Sequence, residues 1–385
     1  MFIYSKLLII LLFLLSNNNA CLGSALLSEI SQESWKRAYR VLQSSHKKIN
    51  IHSIAPRKFS SSTVIPQDSH IFYLDKERTQ KIKAYVPEST PEKLKQNGIT
   101  FVAEEIISRL DNRDLRRPVP TSSPGRRHHT LPITPAKDQG TSYACVPFSV
   151  TACLEQQTHK ILSEAPIAYF SNEECDQYGF SATADALKTA RIRGTTTQEV
   201  WSFKEDAICQ TPPVNWSQHI AARFSVTHAI FSNTSEVINE RIFRLSTRNH
   251  TNLVSLEEDR NIALMKNLII REIPIVVEVP LFYDSYGVLL CGWGDGKDGI
   301  TMPAESALSS RSSRFNTADL QRNEAFHAVM LMGVYDAYSA FEFKNSWYII
   351  DEHGGKVPWG NKNGCSIIPY EYIRQFGRLA AYGII

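Results

Sequence analysis

The spacing of apolar residues changes character several times along this chain. Residues 7–15, "LLIILLFLL", are an unbroken apolar run behind Lys6. Over 28–49, Ile30, Trp35, Tyr39 and Leu42 recur near helical spacing between charged residues, which predicts an amphipathic helix. A second helix is expected over 90–110, with Thr90 as cap and Pro91 in its first turn, although Gly98 interrupts it. Residues 146–157 continue a helix from Cys145. Residues 183–193 read as another, closed by Gly194, and 259–271 as a third. The rhythm then shifts. "IPIVVEVPL" reads as a buried strand, while "FHAVMLMGVYDA" and "FEFKNSWYII" read as a strand pair with a short connection. Residues 306–317 are polar and read as a surface insertion. Helices first and strands later predict an α+β domain with two lobes rather than an alternating parallel sheet.

Two stretches fall outside this pattern. The apolar run at 7–15 is short for a bilayer span and suits a secretory signal over residues 1–20, ending at the small residue Ala20. An uncleaved membrane anchor is the alternative. Cys21 does not read as a lipid-anchored cysteine, because Asn18 and Asn19 precede it. The second stretch, "RDLRRPVPTSSPGRRHHT" over 113–130, is basic, rich in Pro and Ser and poor in apolar residues. It reads as an exposed linker, with dibasic pairs at Arg116–Arg117 and Arg126–Arg127 of the kind processing proteases cut; an uncleaved loop is the bland reading. The chain therefore divides into a signal, an N-terminal extension over 21–128, and a domain over 129–385.

Composition narrows the function classes. Of 385 residues, 43% are hydrophobic and 21% charged, which allows a sizeable core. The net charge of +3 carries no face-wide basic excess, so a nucleic-acid partner is not expected. No other run would cross a membrane once the signal is removed. Export, to a periplasmic, extracellular or lysosome-like compartment, permits disulfides among the seven cysteines, and the odd count leaves at least one unpaired. Sequons at Asn215, Asn233 and Asn249 matter only in a host that glycosylates.

The chemistry concentrates in "KDQGTSYACVPFSVTACLE", 137–155. Cys145 stands where a helix begins, and a helix N-terminus favours a thiolate. An imidazole is needed to take the thiol proton and later protonate a leaving group. His327, in "FHAVMLM", is the candidate. Asn345, at the end of the following strand, would hold that imidazole, with Trp347 shielding their hydrogen bond. Gln139, across the turn at Gly140, would donate to the oxyanion together with the Cys145 N–H. Singly, each residue has an ordinary structural reading: cysteine and histidine as core, asparagine as turn chemistry. Their joint occurrence singles them out.

These residues resemble the papain-like cysteine peptidases. "KDQGTSYACVPFS" is similar to that family's nucleophile segment, "HAV" at His327 to its base segment, and "KNSW" at Asn345 and Trp347 to its orienting segment. "PWGNKNG", with Trp359 and Gly360, resembles the glycine-rich turn that follows. The resemblance implies a two-lobe fold, a helical first lobe and an antiparallel β-barrel-like second lobe. It assigns Cys145 as nucleophile, His327 as base and acid, Asn345 as orienting residue and Gln139 as oxyanion donor. Peptide or protein substrates follow, with no metal or organic cofactor. It also implies disulfides Cys175–Cys209 and Cys291–Cys365, leaving Cys153 a buried thiol. The extension is then a pro-segment or a separate binding or targeting domain. Departures are plain: Ser142 stands where a cysteine is usual, Tyr143 and Ala144 replace Gly-Ser, and Val146 replaces an aromatic residue. "QYGFSATA" lacks the paired glycines that border the family's cleft, and Tyr348 replaces the glycine after "NSW". The gaps from Cys145 to His327 and Asn345 exceed the usual roughly 130–150 residues, so insertions are required. A papain fold kept for binding, or thiol amidase or acyltransferase chemistry, are the competing readings. Oligomeric state and subsite preference are left open.

Overall fold

The computed structural model describes residues 71–102, 129–172, 179–246, 256–304, 307–308 and 325–385, apart from Arg78, Ile133, Gln210 and Ser285. The expected signal, the helix over 28–49, most of the linker and Cys175 lie outside these residues.

The domain opens with a short strand, β4 (His129–Thr130), so the expected linker ends before it rather than at Thr130. The first lobe is built on α2 (Cys145–Thr158), nearly all of it buried. Pro147 is accommodated because the first turn of a helix has no intrahelical partner for its missing N–H. α3 (Ala165–Ser171) and α4 (Thr183–Ile192) pack with it. As expected, Gly194 closes α4, at φ +74° with its N–H on Thr189 O. The second lobe holds β5 (Val226–Ser232), α5 (Ser235–Ser246), α6 (Leu256–Ile270), β6 (Ile275–Pro280), β7 (Phe326–Tyr335) and β8 (Ala340–Lys344). It continues through β9 (Tyr348–Ile350), β10 (Lys356–Pro358), β11 (Cys365–Pro369), α7 (Tyr370–Phe376) and β12 (Leu379–Ile384). The architecture is α+β, as the spacing predicts.

The main sheet runs β11-β8-β7-β6-β12-β5-β3, where β3 is Thr100–Phe101 of the extension, with β4 also on β7. Its pairs are antiparallel except β3 with β5. Among the described residues the end strands β11 and β3 do not pair with each other, and the second lobe is the antiparallel-rich sheet expected. β6 and β7 are buried on both faces, which explains their continuous apolar sequence.

Half-buried Lys137 and buried Lys344 tie the segment before α2 to the two lobes. Lys137 donates to Glu155 and Glu164 of the first lobe, each at 2.6 Å, and Lys344 at the end of β8 donates to Pro135 O at 2.7 Å. Burial raises the Glu164 pKa and lowers that of Lys344.

The extension differs from expectation. β1 (Ile71–Tyr73) and β2 (Lys81–Lys83) form a hairpin. Within the described residues, the helix expected over 90–110 is α1 (Pro91–Gln96), and 103–110 lie outside them; Thr90 caps it, its hydroxyl accepting from Lys93 N–H. Gly98, at φ +68°, then turns the chain into β3 (Thr100–Phe101), which joins β5 in parallel. The interrupting glycine decides the outcome, and β-branched Ile99 and Thr100 suit the strand that follows. The expected surface insertion is partly corrected too: Ala307 and Leu308 are buried, and the rest of 306–317 lies outside the described residues.

Candidate active site

Cys145 begins α2, and its thiol faces the backbone amide of Ala328 on β7. Ser149, one turn on, ties the two elements: its hydroxyl donates to Cys145 O and Ala328 O, both at 2.9 Å. The thiol of the nucleophile candidate thus faces the residue next to His327.

His327 Nε2 lies 2.8 Å from Asn345 Oδ1. That oxygen also accepts the Ser346 N–H at 2.8 Å, which fixes the amide orientation. Nε2 therefore carries the proton, and Nδ1 keeps its lone pair without a hydrogen-bond partner. This is the tautomer a base needs. Trp347 stacks on the imidazole with centroids 4.1 Å apart, and its expected shielding role has this geometry. Sequence reasoning missed Trp293, which meets His327 edge-on at 5.7 Å and stacks on Trp359. The signal was a lone tryptophan in "CGWGDG". The glycines there serve the packing, since a Cβ on Gly296 would overlap the Trp359 ring.

Gln139 is buried in the turn before α2. Its Nε2 donates to Ser142 O at 2.8 Å and reaches Lys83 O of the extension at 3.5 Å; its Oε1 accepts from Ser346. Ser142 holds this turn by hydrogen bonds, its hydroxyl donating to Gln139 O at 2.7 Å. The position that usually bears a bridging cysteine is thus tied locally.

Protonation departs from the expected ion pair. Burial pushes the Cys145 thiol up to about 12, with the Glu278 carboxylate adding to the rise against the Ala328 amide. Burial pulls His327 down to about 3, opposed by its bond to Asn345. Both are neutral here because neither reaches solvent.

A segment of the extension, residues 83–89, lies against the turn that bears Gln139 and Tyr143, with Ala84 and Val86 buried. Lys83 lies over the Tyr143 ring at 5.4 Å, and Tyr85 meets Phe180 edge-on at 5.1 Å. Tyr143, one of the unusual residues before Cys145, packs on Phe180 at 4.3 Å and so completes an aromatic seat for this segment. Arg378 donates to Val86 O at 2.6 Å, Ser232 to Ser89 O at 2.9 Å, and the Ala184 N–H to Ser89 Oγ at 3.0 Å.

Of the expected bridges, Cys291–Cys365 is absent: Cys291 is a free thiol, and Cys365 Sγ packs against Met332 Sδ at 3.8 Å. The Cys175–Cys209 expectation involves a residue outside those described. Cys153 is a buried free thiol, as expected, and burial raises its pKa. No helix among the described residues is long and apolar enough to cross a membrane.

No protein-family model matches the sequence, and no curated protein sequence does. Among solved structures, the chain is similar to xylellain, a cysteine protease from Xylella fastidiosa, at 12% identity and TM-score 0.49, covering 84% of this chain and 100% of that one. It is also similar to digestive procathepsin L2 from Tenebrio molitor larval midgut, at 15% identity and TM-score 0.46, covering 79% of this chain and 84% of that one. A third is the bromelain protease of Ananas comosus bound to the E64 inhibitor, at 15% and 0.40, covering 66% and 94%. Likenesses this distant leave the chemistry to be argued from the residues themselves.

Proposed function

We propose that this chain is the covered precursor of a papain-like thiol peptidase, exported and acting on peptides or proteins. The observation that carries the reading is the Gln139–Cys145–His327–Asn345 constellation, in the tautomer a base requires, with chain segment 83–89 laid against its Gln139 turn.

Opening the cover would return water to the site and lift the burial penalty on both charges. His327 Nδ1 then takes the Cys145 proton, and the thiolate attacks a peptide carbonyl. The developing oxyanion accepts from the Cys145 N–H and from the Gln139 amide, once the latter is released from Lys83 O. His327 protonates the leaving amine, and water, activated by the same imidazole, frees the acyl group. Asn345 keeps the ring in place throughout. The extension over 21–128 is the inhibitory pro-segment in this reading, and the basic linker before residue 129 is where it is severed.

The test is to cut the full chain with trypsin at the dibasic pairs of the linker, separate the fragments, and treat the product with an epoxide inhibitor of cysteine proteases. Labelling of Cys145, with peptide cleavage, is expected. No labelling and no cleavage from mildly acid to neutral pH would refute the peptidase reading and favour a binding protein on this fold.

A further inference from the structure

A charged pair is built into the floor of this cleft, and the constellation above does not use it. Glu278, on β6, is paired directly with Ala328, on β7, so their side chains share one face beside the Cys145 thiol. Glu278 is fully buried within an otherwise apolar strand. Its Oε2 accepts from Arg378 Nε at 2.7 Å, and its Oε1 has no partner. Arg378 precedes β12, the other neighbour of β6, and its own N–H donates to Glu278 O at 2.9 Å. Its guanidinium lies 3.9 Å from the Phe326 ring centre and donates through Nη1 to Ser235 Oγ at 3.1 Å. The remaining nitrogen, Nη2, donates to Val86 O of the covering segment.

Every hold on this pair belongs to the domain except that last one. When the segment leaves, Nη2 becomes a donor without an acceptor, beside an Oε1 that already lacks a donor. Once a substrate side chain displaces water from the pair, an unmet donor and an unmet acceptor select a partner that supplies both. An ammonium or guanidinium would meet the Arg378 charge, and a carboxylate would meet that of Glu278. An apolar group would leave both polar atoms unsatisfied. A primary carboxamide satisfies them, its oxygen replacing the Val86 amide oxygen and its NH2 reaching Oε1.

We infer that Glu278 and Arg378 form a specificity subsite for a glutamine or asparagine side chain of the substrate. This rests on the peptidase reading above. The chain occupies the same subsite with a backbone amide of its own extension.

The test uses the full chain, cut at its linker and separated, with active sites counted by epoxide titration. Fluorogenic peptides would carry Gln, Asn, Met, Leu, Lys and Glu in turn at each position before the scissile bond. At one position Gln or Asn should exceed the near-isosteric Met in kcat/KM by about tenfold to a hundredfold, because a site built for hydrogen bonds rejects an analogue that lacks them. The Glu278→Leu/Arg378→Met double variant, which swaps the pair for apolar residues of similar size, should reverse that order. Glu278→Gln, read in parallel, keeps the shape should the double variant not fold, and should bring Met within threefold of Gln at that position. Preference for Met, Leu, Lys or Glu over Gln at every position overturns the inference, as does Gln preference surviving in either variant. Normal titration without carboxamide preference refutes the subsite alone; absence of titration refutes the peptidase reading with it.

Discussion

On one side of Cys145 stand Ala328, His327 and Trp347, carried by β7 and the turn after β8. On the other lie residues 83–89 of the extension. The first wall is sheet and stacked aromatic rings, continuous with the core. The second adds only the small side chains of Ala84 and Val86 to that core and is otherwise held through backbone carbonyls and hydroxyls, at Lys83, Val86 and Ser89, with one aromatic seat. Water can replace hydrogen bonds, so their net worth is modest, whereas it cannot replace packed rings. The difference separates a permanent wall from a removable one.

The largest effect should come from taking the removable wall away. Returning the Cys145 thiol from about 12 to the ordinary value near 8.5 raises its thiolate fraction at neutral pH by about a thousandfold. The labelling rate of the cut and separated chain should rise by that order over the intact one; equal rates would mean the segment does not cover the thiol. Breaking the permanent wall should instead act on stability. Trp347→Ala should lower unfolding free energy by about 3–5 kcal/mol, read from denaturant midpoints.

The pH response follows from the enclosed pair. His327 binds its proton less readily folded than unfolded, so stability falls as pH drops below about 6.5 toward 3. Cys145 holds its proton more tightly folded, so stability falls again as pH rises above about 8.5. Each limb should slope by about 1.4 kcal/mol per pH unit for its group. The intact chain should therefore be most stable between these values. A flat profile in His327→Gln would assign the acid limb. The smallest effect belongs to the aromatic seat: Tyr85→Ala should weaken cover by about 1 kcal/mol, raising labelling severalfold while leaving the unfolding of the cut domain unchanged.

Much of the permanent wall was legible, because its parts are local. The turn before Cys145, the helix after it, and the strands bearing His327 and Asn345 each read from a short window. The removable wall was not. Its path depends on contacts between residues far apart in sequence, such as Val86 with Arg378, and on Gly98 ending a helix the polar pattern would have prolonged. Glu278 did leave a signal: a single carboxylate in "IVVEVP" demands a buried partner, though nothing in the window says that Arg378 supplies it. The Cys291–Cys365 pairing failed for a related reason, since like residue types do not specify contact, and Cys365 turns to a methionine.

The parallel attachment of β3 to β5 has a consequence for solubility. While the extension is in place, Thr100 and Phe101 occupy the outer margin of the main sheet. Under the proposed processing, that strip would leave with the extension and expose the unpaired amides and carbonyls of β5, beside an exposed Val226. The cut and separated domain would then carry a sticky border, and should aggregate more readily than the intact chain at equal concentration.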